Sequence, residues 1–165
     1  MSTLSEISAS DEMALFNPAF LSILLHAAIS EHEVVAGRGM AVHLPFLLIP
    51  LALHQPTRTD LPSKSSAQMQ KWIRENPRHI AGLDKRAVSL RPFVAIAIRF
   101  ASIHGVVQIE GAVLRGGALK RRPRGYADHE TDDSRECQKA ARLLGRWFGR
   151  QPDPATLLAI WGLRP

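Results

Sequence analysis

The segment Leu44–Leu53 constrains this chain most strongly, because all ten of its residues, Leu-Pro-Phe-Leu-Leu-Ile-Pro-Leu-Ala-Leu, are apolar. It is too short to cross a bilayer, which takes about 20 apolar residues, and it lacks the polar side of a surface helix. The segment therefore predicts a core helix that is buried on most of its surface. Pro45 and Pro50 are expected to kink this helix or to limit it to short turns.

Capping signals and apolar spacing predict further helices on both sides of this segment. Asn17 is a typical N-cap residue, and Pro18 after it suits the first turn of a helix. An apolar stripe then continues to about Glu33, which predicts a helix over this segment. The polar stretch 57–65 is predicted to be a loop. Later helices are predicted over 66–75, 78–88, 92–103 (with Phe93, Ile96, Ala97 and Phe100 on one face), from 131–133 to 148, and from 153–154 to 162.

A small β-hairpin is predicted after these central helices. Val106–Ile109 and Ala112–Leu114 favour strands, and Glu110-Gly111 between them is a turn sequence. Helices followed by a hairpin with a basic extension are the order of a winged-helix unit. The predicted fold class is therefore mainly α: a compact helical domain with a small β-hairpin, winged-helix-like, with residues 12–165 forming one domain after a flexible N-terminus at 1–11.

The charge of the chain is unevenly distributed. The net charge is +6, but residues 1–54 hold five acids against one base, so they carry −4 and the rest carries +10. Such a basic field favours nucleic acid or an acidic protein surface as a partner. The alternative is that the positive charge only keeps the protein soluble. Met1–Asp11 has no positive signal region, and Cys137 is the lone cysteine, so we expect a cytoplasmic protein without disulfides or a membrane segment.

The most basic stretch follows the hairpin and contains Lys120, Arg121, Arg122 and Arg124 without an intervening acid. Together with Arg115, these residues are candidates for contact with nucleic-acid phosphates, which would make binding strongly dependent on salt. The alternative is a solvated loop with no ligand. The helix predicted at 92–103 stands where a winged helix would read DNA, yet it is largely apolar and equally suits protein docking.

Residue patterns that carry catalysis or metal binding are missing from the sequence. His26 and His32 are six residues apart and do not share a helix face, and the other histidines are scattered singly. Cys137 has no Cys-His signature, and there is neither a nucleophile elbow nor a phosphate-binding loop. We therefore predict that the protein is not an enzyme, and that it uses no metal and no cofactor.

Three segments together resemble the middle component of bacterial three-component ABC systems. They are 17–33, beginning Asn-Pro-Ala-Phe; 44–62, the apolar segment and its continuation to Leu61-Pro62; and the C-terminal Ala141-Arg-Leu-Leu-Gly-Arg-Trp-Phe148 with 156–165. The resemblance implies a subunit that acts beside an ABC ATPase of the SMC or Rad50 type and an effector protein such as a nuclease. It also implies antiphage or antiplasmid defence related to the Lamassu type, with the middle component as a non-catalytic adaptor.

An adaptor needs aromatic or apolar anchors that stay partly exposed for its partner. The candidates are Trp147, Phe148, Leu158 and Trp161, together with the apolar segment Leu44–Leu53. The alternative for each is a place in the core of this chain. A second hypothesis for the whole protein is a free-standing winged-helix regulator that binds a specific DNA site through residues 92–103 and the basic loop.

Overall fold

The structure, a computed structural model, describes residues 16–64, 66–119 and 131–164. Within these ranges the predicted fold class is confirmed: the chain is mainly helical, with one small antiparallel sheet. The helices are α1 (Pro18–Ala36), α2 (Pro45–Leu53), α3 (Gln55–Asp60), α4 (Met69–Glu75), α5 (Leu83–Ile103), α6 (Asp132–Arg150) and α7 (Pro154–Ile160), with a 3-10 turn at Pro77–His79. The strands are β1 (Met40–Ala41), β2 (Val107–Glu110) and β3 (Val113–Gly116).

Helix α1 is the centre of the fold and packs most extensively against α6, then against α5. The predicted N-cap is confirmed, since the Asn17 side chain accepts a hydrogen bond from the Ala19 N–H at 2.9 Å. By length and composition, α1 is also the one helix of the described residues that could cross a membrane. The core helix of a soluble protein passes the same test, and α1 has buried residues along its length.

Helix α2 confirms the predicted core helix. Leu47, Leu48, Ile49 and Leu51 are fully buried. Pro50 lies inside the helix without ending it. The buried apolar side chains on both sides of the proline hold the segment together, because their burial outweighs the one backbone hydrogen bond that proline removes.

The predicted hairpin is present as β2 and β3, with Glu110 paired with Val113, so the turn lies one residue later than expected. The sequence did not predict β1, which adds a third strand by pairing Met40 with Leu114. The order of the sheet is β1-β3-β2. Gly39 permits this pairing, because a Cβ there would lie 2.8 Å from the Leu114 carbonyl oxygen.

Two helical predictions were wrong. The predicted loop 57–65 begins inside α3, where Pro56 occupies the first turn. Separate helices were expected at 78–88 and 92–103, whereas the chain forms one helix, α5, which begins at Leu83 after the 3-10 turn and continues through Pro92. Proline removes the hydrogen bond to the Val88 carbonyl. Val88 and Pro92 are both exposed, so water can replace that bond on the outer side of the helix.

Candidate partner-docking surface

The four residues predicted as partner anchors are core residues of this chain. Trp161 and Phe148 are fully buried, Trp147 is 2 % exposed and Leu158 is 7 % exposed. The Trp147 indole Nε1 donates a hydrogen bond to the Ala67 carbonyl at 2.9 Å. The prediction required side chains left partly exposed, whereas the structure places them in the interior, and a docking surface must be sought elsewhere.

The basic residues proposed for nucleic acid are only partly within the described ranges. The Arg115 Nε donates to the Glu110 carboxylate at 2.7 Å, and its guanidinium also lies 4.0 Å from the Glu33 carboxylate. These two acids offset the Arg115 charge. Lys120, Arg121, Arg122 and Arg124 lie outside the described residues, so their contact with nucleic acid stays a prediction.

An exposed apolar stripe follows the outer side of α5, and we call it the α5 face: Val88, Pro92, Phe93, Ile96 and Ile103. The Val88, Ile96 and Ile103 side chains are 60 %, 51 % and 75 % exposed, and Phe93 is 39 % exposed. Val88, Pro92 and Ile96 are spaced by four residues, which aligns them on one side of a helix. Among the described residues this helix therefore carries large apolar side chains that its own fold leaves uncovered.

From the sequence, Phe93, Ile96, Ala97 and Phe100 were expected to share one face of this helix, and the helix was expected to suit protein docking as well as DNA reading. The structure keeps Ala97 in the core but turns Ile96 to solvent. The residues that α5 buries over this stretch are Val94, Ala97, Ile98 and Ala101.

A groove borders the α5 face on one side, and we call it the α5 groove. Its volume is about 880 Å³, and its walls come from the beginning of α2, the first half of α5 and the residues at and after the end of α7. Because these walls belong to elements far apart in sequence, the folded core fixes the shape of the groove. The apolar lining consists mainly of Phe46, Leu47, Val88, Leu158 and Leu163.

The rim of the α5 groove is predominantly basic. Of the described residues that line it, Arg91 and Arg164 are basic and Asp84 is the one acid. Within the described residues, neither arginine has a carboxylate within 4.0 Å. The guanidinium groups are therefore open to a carboxylate supplied by another molecule.

A second constellation, the polar network, joins His54, Thr57, Asp60 and His79 beside the aromatic core. The Thr57 hydroxyl lies 2.7 Å from His54 Nδ1 and 3.3 Å from His79 Nδ1. His79 Nε2 lies 2.8 Å from the Asp60 carboxylate. Thr57 is fully buried, His79 is 2 % exposed, and the Trp72 ring stacks on the His79 ring.

The directions of the hydrogen bonds in the polar network follow from the Asp60 carboxylate. The Asp60 carboxylate only accepts, so His79 donates from Nε2. With a neutral His79 ring, Nδ1 accepts from the Thr57 hydroxyl, whose oxygen then accepts from His54 Nδ1–H. Arg78, and after it His79, lowers the pKa of Asp60 by hydrogen bonding, while burial lowers the pKa of His54. The network is thus a set of satisfied hydrogen bonds between α3 and the 3-10 turn.

The polar network was not predicted from the sequence, because residues 57–65 were expected to form a loop. With 54–60 treated as a helical segment, His54, Thr57 and Asp60 stand at intervals of three, and that spacing puts them on neighbouring positions of one face. The partnership with His79 depends on the path of the chain through α4. It has no local signal in the sequence.

The described residues contain no group of three or more histidines, cysteines or acids that could hold a metal ion. The Cys137 thiol is buried, and burial raises its pKa to about 11. At neutral pH this cysteine is a protonated core side chain, since a nucleophilic cysteine needs an accessible thiolate.

A comparison with protein families gives the decisive match. The model of the family "ABC-three component (ABC-3C) system Middle Component 3" matches residues 5–165, nearly the full length of the chain. This chain belongs to the Middle Component 3 family. The resemblance noted from the three sequence segments is therefore confirmed at the level of the middle component.

No curated protein and no solved structure matches the Middle Component 3 chain. The family places the chain in a system of several components that includes an ABC protein. The type of the ATPase, the nature of the effector and the defence role stay predictions.

Proposed function

We propose that this Middle Component 3 protein is a non-catalytic adaptor in the cytoplasm, which holds an SMC- or Rad50-like ABC ATPase together with an effector protein in a bacterial defence complex. The observation that carries the proposal is the α5 face, an exposed apolar stripe on a long helix. Membership of a family of middle components supports a role among several subunits.

The apolar side chains of the α5 face are exposed to water at a cost in free energy. Burying apolar surface is worth roughly 25 cal/mol for each Å², and Val88, Ile96 and Ile103 remain more than half exposed. A few such side chains at the centre of an interface commonly supply most of its binding energy. The α5 face has this composition; among the described residues, Phe16 stacks on Phe93 with ring centroids 4.9 Å apart, while Val88, Ile96 and Ile103 stay more than half exposed.

The described chemistry supports a non-catalytic subunit. The Thr57 hydroxyl is fully buried and already engaged by two histidines, so it is not placed to attack a substrate. Cys137 is a protonated, buried thiol. Both features are typical of a satisfied core, and neither offers an activated nucleophile.

A second candidate function is a free-standing winged-helix regulator of a DNA site. The sheet order β1-β3-β2, with β1 after the first helix and the hairpin after α5, favours a winged-helix-like arrangement. A helix that reads bases presents Arg, Asn or Gln outward. The outer side of α5 instead presents Val88, Ile96 and Ile103, which favours protein docking over sequence-specific contact with DNA.

The proposal is tested by co-expressing this chain with the ABC ATPase and the effector of its own system and by sizing whatever co-purifies. The double variant Val88→Asp/Ile96→Asp puts charge into the α5 face and should abolish co-elution. Val34→Asp is the control, since it introduces an aspartate in place of an exposed valine on another helix, at a side chain that is 81 % exposed on α1. Circular dichroism confirms that each variant is folded.

The alternative is tested with the isolated protein and DNA of varied sequence. Sequence-selective binding by this chain alone would favour the regulator. Weak binding that falls steeply with salt and ignores sequence would fit an adaptor whose basic loop, at Lys120–Arg124, touches DNA held by the ATPase.

A further inference from the structure

We infer that the α5 groove binds an amphipathic, acidic helix contributed by another subunit of the same ABC system. This inference deepens the proposed adaptor function and rests on it. Apolar side chains of the incoming helix occupy the groove floor, and its Asp or Glu side chains meet Arg91 and Arg164 on the rim.

The shape of the groove suits a helix. Helix α5 lines the groove from Asp84 to Ala95, and at about 1.5 Å per residue this stretch offers roughly 17 Å, about three turns, along which another helix can lie. The accessible apolar surface of the floor comes from Phe46 and Leu163, which are partly buried and pack against the core, whereas Leu47 and Leu158 also line the groove but are buried. In the helix-in-groove mode, apolar residues at intervals of three and four enter such a preformed trough.

Charge selects the partner. Arg91 and Arg164 stand on the rim, and Lys85 and Arg99 are exposed further along the outer side of α5. Asp84 is the one acid in the groove lining. A guanidinium forms two parallel hydrogen bonds with a carboxylate, so Asp or Glu on the incoming helix is favoured and Lys or Arg is repelled.

Other occupants fit less well. A second copy of this chain would bring its own Arg91 and Arg164 to the same rim, and like charges in contact weaken association. DNA would meet the rim with its phosphates, but it has no apolar surface for the floor. Residues 1–15 of this chain contain three acids, Glu6, Asp11 and Glu12, and no base, so the experiment must separate them from a partner subunit.

Site-specific crosslinking identifies the occupant. Ala95, an exposed residue of the groove lining, is replaced by the photocrosslinking residue p-benzoylphenylalanine in the co-expressed complex. We expect mass spectrometry to find the crosslink on an acidic amphipathic segment of the ATPase or the effector. A crosslink to a second copy or to residues 1–15, or none at all in an intact complex, would overturn the inference.

Charge reversal provides an independent test in the same complex. Arg91→Glu/Arg164→Glu should weaken assembly at least about tenfold, because two carboxylates of the partner then face like charges. The matched control is Lys139→Glu/Arg142→Glu, which changes the same charge on the exposed side of α6 and should change assembly less than about twofold.

The experiments distinguish a failure of the proposed adaptor function from a failure of the α5 groove as the docking site. If the unaltered chain forms no complex with either partner, the adaptor function itself fails. If the complex forms and Arg91→Glu/Arg164→Glu assembles like the control, the adaptor function stands and the α5 groove is not the docking site.

Discussion

Gly145 of α6 lies directly against the backbone of Ala28 in α1. A Cβ built on Gly145 would stand 2.2 Å from the Ala28 carbonyl oxygen, and one on Gly149 would stand 2.9 Å from the His32 carbonyl oxygen. Glycines four residues apart thus let the two central helices approach until their backbones touch. The contact between α1 and α6 is the most extensive in the fold, so it holds the framework on which the docking surface is built.

Gly145→Ala should therefore lower the free energy of unfolding by about 3 kcal/mol, because the added methyl meets backbone that cannot move aside without separating α1 from α6. Urea denaturation followed by circular dichroism measures the change. Lys139→Ala, on the exposed side of α6, is the control and should stay within about 0.5 kcal/mol. Equal stability of the two variants would show that the helices are not held this closely.

Thr57→Val tests the polar network. Valine keeps the shape of threonine but removes the hydroxyl, which leaves the Nδ1 atoms of His54 and His79 without their partner. An unpaired buried polar group costs about 1–3 kcal/mol, so the free energy of unfolding should fall by that amount. Thr59→Val, at an exposed position of the same helix, should have little effect, and a similar loss there would mean that the hydroxyl network is not the cause.

Stability should fall when the pH drops below the ordinary histidine range. Burial lowers the pKa of His32 and of His54 below the ordinary histidine value of 6.5. The unfolded chain then binds more protons than the folded one as the pH falls through about 6.5, which favours unfolding. We expect a lower melting temperature at pH 5 than at pH 7.5, measured by calorimetry.

The variant His32→Leu identifies one source of this dependence. His32 is 2 % exposed, and its Nδ1 has no hydrogen-bond partner among the residues that the structure describes. Removing the group should reduce the difference between the melting temperatures at the two pH values. An undiminished difference would assign the acid sensitivity to other groups.

Cys137 should not react with thiol reagents in the folded protein. Burial raises its pKa to about 11, so at pH 8 only about one thiol in a thousand would be ionised. Ellman's reagent should therefore detect the thiol only after denaturation. Rapid labelling of the folded chain would contradict the assigned burial.

The sequence predicted the elements that have local signals. Asn17 caps α1 and Thr131 caps α6, and each side-chain oxygen accepts the expected backbone hydrogen bond. The strand β1 was not predicted, because two residues carry no periodicity and their pairing with β3 depends on the folded chain.

The orientation of α5 could not be predicted because residues 93–98 are all apolar. Periodicity then does not distinguish the buried side from the exposed one, and the neighbours α1 and α2 decide it. The same limit applies to Trp147 and Trp161, which are core residues here although an interface favours the same residue type. The sequence shows which apolar and aromatic residues could form a docking surface, but the packing of the helices decides which of them are exposed.

The most direct test of the account is the size of the complex formed when this chain is co-expressed with the ABC ATPase and effector of its system, measured by size-exclusion chromatography with light scattering. We expect one particle that contains this chain with both partners and that is lost in Val88→Asp/Ile96→Asp but kept in Val34→Asp. Elution of the unaltered chain by itself would contradict the adaptor function.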